Sequence, residues 1–192
     1  MPRRWKLFLL VAMFTMVADQ ATKFWARDAL AVHPAGCEIP AAVVAGTCTG
    51  VNEPLISGYW DWRLSFNQGS AFGLFHSQGG ARVFLSIVGV LALGAMLWMV
   101  KKAKDDQKWL VWALGLVAGG AVGNLIDRMY YGVVTDFVLW HTPAHEPKSA
   151  YRYVNEWPVF NVADVALVIG VGIMLFVSGD DKGKKKKPAP AA

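Results

Sequence analysis

The chain has 192 residues, of which 55% are hydrophobic and only 17% charged, with a mean hydropathy of +0.34 and a formal net charge of +5. That apolar fraction is high for a soluble domain, and the apolar residues fall in blocks rather than at amphipathic spacing, which points to a single polytopic membrane domain. The positive balance does not mark a nucleic-acid face, because most of the basic residues are concentrated in three short segments beside apolar blocks: Arg3, Arg4 and Lys6; Lys101, Lys102, Lys104 and Lys108; and the tail from Lys182 to Lys187.

Leu7 to Ala18 is an apolar run behind a basic N-terminus, the outline of a secretory signal peptide. The helical pattern continues through Ala21 and Trp25 with no clear small-residue cleavage site, so a retained first span over about 6–25 is expected. Asp19 and Lys23 lie four apart, on one face near its outer end, where they would form either a snorkelling interfacial ion pair or part of a binding site. The segment 26–80 is rich in glycine, proline and polar residues and contains no run long enough to span. Within it Trp60, Trp62, Leu64 and Phe66 alternate with Asp61, Arg63, Ser65 and Asn67, the period of a half-buried strand. This predicts a small external β-structured element with its aromatic face against the bilayer interface or the helices. The strand leads into Asn67-Gln68-Gly69-Ser70-Ala71-Phe72-Gly73, which suits either a bulge or turn or a contact with ligand. Cys37 and Cys48, the only cysteines, lie in the same segment. In an oxidising compartment they would close a loop of about a dozen residues, worth about 3 kcal/mol; two free thiols are the alternative.

Further spans are expected at about 81–100, 109–127 and 161–177, with a disordered basic cytoplasmic tail over 179–192. The fold class is then four transmembrane helices with a small external β-structured element. Gly119, Gly120, Ala121 and Gly123 in the third span are small enough for close helix packing. A short strand or re-entrant edge is expected around Asp136, among Val133, Val134, Phe137 and Val138. His141, His145 and Glu146 faintly resemble metal ligands, but Pro143 and Pro147 break any helix that would align them, so a solvated loop is the reading. With the three basic segments on one side, both termini are cytoplasmic and Asp19, Asp127, Asp136 and Asp164 collect at the opposite face.

Carboxylates at a membrane edge are costly and read as functional. Two brought within reach of each other cannot both ionise, so one keeps a proton while the other serves as base toward water. That pair can hydrolyse an amide without a metal or a covalent nucleophile. No Ser or Cys stands beside a plausible His base, and no HExxH motif occurs. The same carboxylates would also serve as the relay of a small proton- or ion-coupled transporter, although such sites tend to lie at the midplane between repeated halves and no internal repeat is present. A non-catalytic scaffold would leave the clustered aspartates unexplained.

Five ordered blocks carry a resemblance that spans the chain apart from the lysine tail. They are Asp19-Gln20-Ala21-Thr22-Lys23, the Asn67 to Gly73 block, Gly119 to Arg128 (GGAVGNLIDR), Val134-Thr135-Asp136-Phe137 and Phe160-Asn161-Val162-Ala163-Asp164. Together they resemble lipoprotein signal peptidase, signal peptidase II. The resemblance implies a monomeric aspartic endopeptidase of the bacterial cytoplasmic (inner) membrane, with no cofactor or metal and no nucleic-acid partner. It would be surrounded by membrane phospholipid and would cut diacylglyceryl-modified prolipoproteins before the lipidated cysteine. It implies Asp136 and Asp164 as the catalytic dyad. Asp19, Lys23, Asn67, Asn124, Asp127, Arg128 and Asn161 would line and support the site, and inhibitors of the globomycin type would occupy it. Ser70 departs from the small apolar residue expected there, and the interval between the two dyad aspartates, with its 141–152 loop, is longer than usual, as is the region around Cys37 and Cys48.

Overall fold

The computed structural model describes residues 1–33, 49–69, 78–143 and 153–184. Cys37, Cys48, Ser70, His145 and Glu146 lie outside them. Four helices carry the apolar runs: α1 (Arg3–Ala29), α2 (Gln78–Lys102), α3 (Lys108–Tyr130) and α4 (Val162–Lys184). By length and composition α1, α2 from Arg82 onward and α3 can each cross a membrane, and Val162–Ser178 of α4 is a shorter apolar helix. Leu10, Phe14, Leu91, Trp98, Val168 and Phe176 stand exposed on the outside of the bundle, as side chains do when lipid is the solvent. The helices run somewhat beyond the expected bounds. The backbone of α4 stays helical through Lys184, where disorder was expected from 179, because a nucleated helix extends at one hydrogen bond per added residue.

Helix α3 is the centre of the bundle, packed against the other three. Its small residues set the spacing. A side chain at Gly119 would run into the Ala12 carbonyl of α1, one at Gly120 would lie 2.8 Å from the Ala163 carbonyl of α4, and one at Gly123 would collide with the Asp19 carboxylate. Without a solvent-driven hydrophobic effect between helices, this close approach is what holds them. Phe8, Met96, Val100, Val111, Leu114 and Val117 form the apolar core toward one end of the bundle.

At the other end sits a four-stranded antiparallel sheet, in the order β3 (Glu53–Ile56), β4 (Trp60–Asn67), β5 (Val134–Pro143) and β6 (Tyr153–Glu156). A separate two-stranded ribbon joins β1 (Val32–His33) to β2 (Thr49–Gly50). The strand expected around Trp60 is β4, and the edge expected around Asp136 is β5. The aromatic face does rest on the helices: Trp25 of α1 meets Trp62 at 5.3 Å and Phe137 at 6.1 Å, both edge to face.

Two expectations about this region need correction. The strict alternation of β4 is broken by a register shift between Trp62 and Ser65, so Asp61 and Leu64 are the buried residues while Trp60, Trp62 and Phe66 are only half-buried. His141 is not in a solvated loop. It belongs to β5, is buried, and places Nε2 3.2 Å from Oδ1 of the equally buried Asp61. Among the described residues no group of His, Cys, Asp and Glu could hold a metal ion.

Candidate active site

The site is assembled where α4 begins. Asn161 is the N-cap of that helix and Asp164 its third residue, and the two exchange hydrogen bonds. The Asp164 backbone N–H donates to Asn161 Oδ1 and the Asn161 N–H donates to Asp164 Oδ2, each at 3.1 Å. This reciprocal box satisfies two otherwise orphaned donors and holds the Asp164 side chain against the helix entrance. A third donor of the first turn, the Ala163 N–H, is taken by Asp19 Oδ1 of α1 at 3.0 Å.

Asp136 is brought to the same place by backbone pairing. Phe160 bridges to Val138, its carbonyl accepting from the Phe137 and Val138 N–H groups at 3.0 and 2.9 Å, so the start of α4 is stitched to β5. Asn161 Nδ2 then donates to Asp136 Oδ1 at 2.6 Å. One buried asparagine thus touches both aspartates, its amide on Asp136 and its carbonyl and backbone on Asp164. Asn124 of α3 donates to Asp164 Oδ1 at 3.4 Å and accepts from Asn161 at 3.2 Å and from Lys23 Nζ at 2.6 Å. Asn67, at the end of β4, also donates to Asp136. Its own Oδ1 is held by the Gly69 N–H at 2.8 Å, and the turn depends on Gly69 adopting φ +86°.

Asp136 is almost wholly buried, whereas Asp164 is only partly buried. Burial first, and the neighbouring Asp164 carboxylate second, push Asp136 up to about 7, against the lowering effect of Asn161, Asn67 and Lys23. Burial and the neighbouring charge thus favour the protonated form of Asp136.

Behind the two aspartates lies a buried ionic layer between α1 and α3. Lys23 Nζ stands 2.8 Å from Asp19 and 3.6 Å from Asp127, all three side chains being fully buried. An interfacial snorkelling pair is therefore excluded for Asp19 and Lys23. Asp127 is not paired with its sequence neighbour Arg128. It faces Lys23 and Arg27, the latter at 3.6 Å, and accepts the Thr135 backbone N–H at 2.8 Å, one residue before Asp136. Successive helical residues point in different directions, so neighbours in sequence need not meet. Arg128 is half-buried and donates to the Asn124 carbonyl at 3.4 Å; its charge acts first on Asp136 and then on Asp164. Sequence reasoning missed Arg27, Thr135 and Gln20. Arg27 bonds Thr135 Oγ1 at 2.8 Å, and Gln20 ties Asp19 to the Gly123 carbonyl at 3.0 Å. The signal for Arg27 was available, since residues 19, 23 and 27 recur every four positions on one helical face.

A bundle of apolar helices that gathers buried carboxylates at one end, beneath a sheet, defines a polytopic membrane protein with a candidate site among those carboxylates. The family model described as signal peptidase (SPase) II matches residues 11–178. The chain is 31% identical over 185 residues to a lipoprotein signal peptidase of Xylella fastidiosa, covering 95% of this chain and 94% of that one. It is 34% identical over 175 residues to a lipoprotein signal peptidase of Rhodopseudomonas palustris, covering 90% and 92%. A bacterial membrane enzyme solved by the in meso method at 2.3 Å superposes with a TM-score of 0.66 at 25% identity, over 96% of this chain and 94% of the other. The chain belongs to the signal peptidase II family, which makes it a membrane protease and sets the transporter reading aside.

Proposed function

We propose that this protease removes the signal peptide from diacylglyceryl-modified prolipoproteins, cutting before the lipidated cysteine, by an aspartic mechanism that uses Asp136 and Asp164. The observation that carries the reading is the Asn161 bridge, which holds a proton-retaining carboxyl beside a second, more accessible one. Asp164 takes a proton from water as the water oxygen adds to the scissile carbonyl carbon. Asp136 gives its proton to the carbonyl oxygen, forming a gem-diol. On collapse the C–N bond breaks, the proton held by Asp164 passes to the departing amine, and Asp136 recovers its own from the diol. Asn67, Asn124 and Asn161 orient the pair. Asp19, Lys23 and Asp127 hold the helices that carry it, and Arg128 supports the substrate side. Globomycin-type inhibitors would occupy this space, with the enzyme acting as a monomer.

Cleavage of a lipidated prolipoprotein peptide in detergent tests the reading. Full activity in the presence of a metal chelator is expected, with little or none on the unlipidated peptide. Loss of activity on chelation, restored by added metal, would remove the aspartic mechanism; equal turnover of both peptides would remove the substrate assignment.

The membrane placement follows from the basic segments: both termini in the cytoplasm, and the carboxylates at the outer face of the cytoplasmic membrane. Reporters fused after Lys104 or Lys187 should read as cytoplasmic and one placed near Glu53 as external. An external signal after Lys104 is incompatible with this orientation.

A further inference from the structure

We propose that the end of the bundle remote from the carboxylates holds an anionic phospholipid, its phosphate among Arg3, Arg4 and Lys108 and one acyl chain along the groove between α3 and α4. Two adjoining concavities carry this. The first, a cavity of about 450 Å³, is lined by Arg3, Arg4, Asp105, Lys108, Trp109 and Trp112, with Leu7 and Val111 as its apolar floor. The second, of about 820 Å³, runs between α3 and α4 past Leu110, Ile169, Ile173 and Phe176. Lys108 and Trp109 line both, so the cavity with the clustered cations adjoins the groove beside Ile169, Ile173 and Phe176.

The electrostatics suit an anion. Three cations line the cavity against one carboxylate, Asp105, which is 56% exposed and pairs with Arg4 at 3.2 Å. Asp106 lines the groove, and Lys101, Lys102 and Lys104 stand in the adjoining segment, so the excess stays positive. Arg4 Nε is buried with no hydrogen-bond partner, although its Nη1 reaches Asp105. A phosphate oxygen would satisfy it, since the guanidinium fork matches phosphate geometry. Both α1 and α3 begin here, at Pro2 and Gln107, with no side-chain cap and no acidic residue in the first turn, so their positive ends also face an anion. Trp109 and Trp112 are exposed on the first turns of α3, and such rings favour a membrane interface. A free phosphate would leave the groove along Leu110, Ile169, Ile173 and Phe176 unused; a phospholipid, with headgroup and acyl chain, uses both concavities.

Native mass spectrometry of the full chain with equal amounts of palmitoyl-oleoyl phosphatidylglycerol and phosphatidylcholine tests this. The anionic lipid should be retained preferentially, and Arg4→Gln with Lys108→Gln should erase the preference, at about fivefold per basic residue. Lys101→Gln with Lys102→Gln removes the same charge from outside the cavity and should leave it largely intact. Gly172→Phe offers a second arm that leaves the charges in place: a Cβ there meets nothing within 4 Å, so the ring should fill the groove and weaken retention. Peptide cleavage reports that each variant is folded. Equal retention of the two lipids, equal losses in the two charge-removal pairs, or displacement by glycerol 3-phosphate as effective as by the lipid would each overturn the proposal.

Discussion

Asp136→Asn and Asp164→Asn should each reduce turnover of the lipidated peptide by about 1,000-fold or more while leaving the protein inserted and able to bind a globomycin-type inhibitor. Asparagine keeps the shape and can still meet Asn161, but it neither holds nor accepts the transferred proton, and general acid–base steps contribute about 10²–10⁴ each. The double variant should be little worse than either single one, because the two groups act as a unit. The pH profile should be bell-shaped and belong to the pair. Its alkaline limb should lie near 7, as Asp136 loses the proton it must donate. Stability follows with a definite sign. Asp136 is raised from 3.8 in the unfolded chain to about 7, so its contribution is fully present below 3.8 and is lost as pH rises through 7. Asp136→Asn should therefore melt higher than the parent at pH 8 and lose most of that advantage by pH 5. Substantial cleavage by either single variant would end the dyad assignment.

Lys23→Met should be the most damaging change for stability. Lys23, Asp19 and Asp127 are fully buried, and Arg27 supplies the second cation of the layer. Two carboxylates face two cations; without Lys23 one carboxylate is left in a dry site, and breaking such a pair costs about 3–5 kcal/mol. Activity should fall with it, because Lys23 also donates to Asn124 Oδ1, which orients the side-chain amide toward Asp164. Asp19→Asn combined with Lys23→Met should recover part of the loss by removing the orphaned charge. Thermal unfolding in detergent reads this directly, and a change within about 1 kcal/mol would show that the layer is not what joins α1 to α3.

Much of this protein is written locally. Long apolar runs are helices wherever backbone groups have no water to bond, so the four helices were legible from composition and run length. The alternation from Trp60 to Asn67 marked a strand, and Asn161 with Asp164 three residues on carries the chemistry of a helix cap. The clustering of Asp136 and Asp164 at span edges marked the candidate site, because a carboxylate there is expensive to keep. What the sequence could not determine was how side chains far apart in the chain share one buried volume. Asp127 and Arg128 are neighbours in sequence, but helical geometry turns Asp127 toward Lys23 and Arg27. Spacing left Asp19 and Lys23 open as a surface pair, and only the packing of α1 on the glycines of α3 buries them. The pairing of Asp61 with His141 depends on a register shift in β4, and the meeting of both aspartates on Asn161 depends on Phe160 bridging β5. A buried charge is decided by its tertiary partners, since the cost of desolvating it is offset only by groups the fold brings from elsewhere.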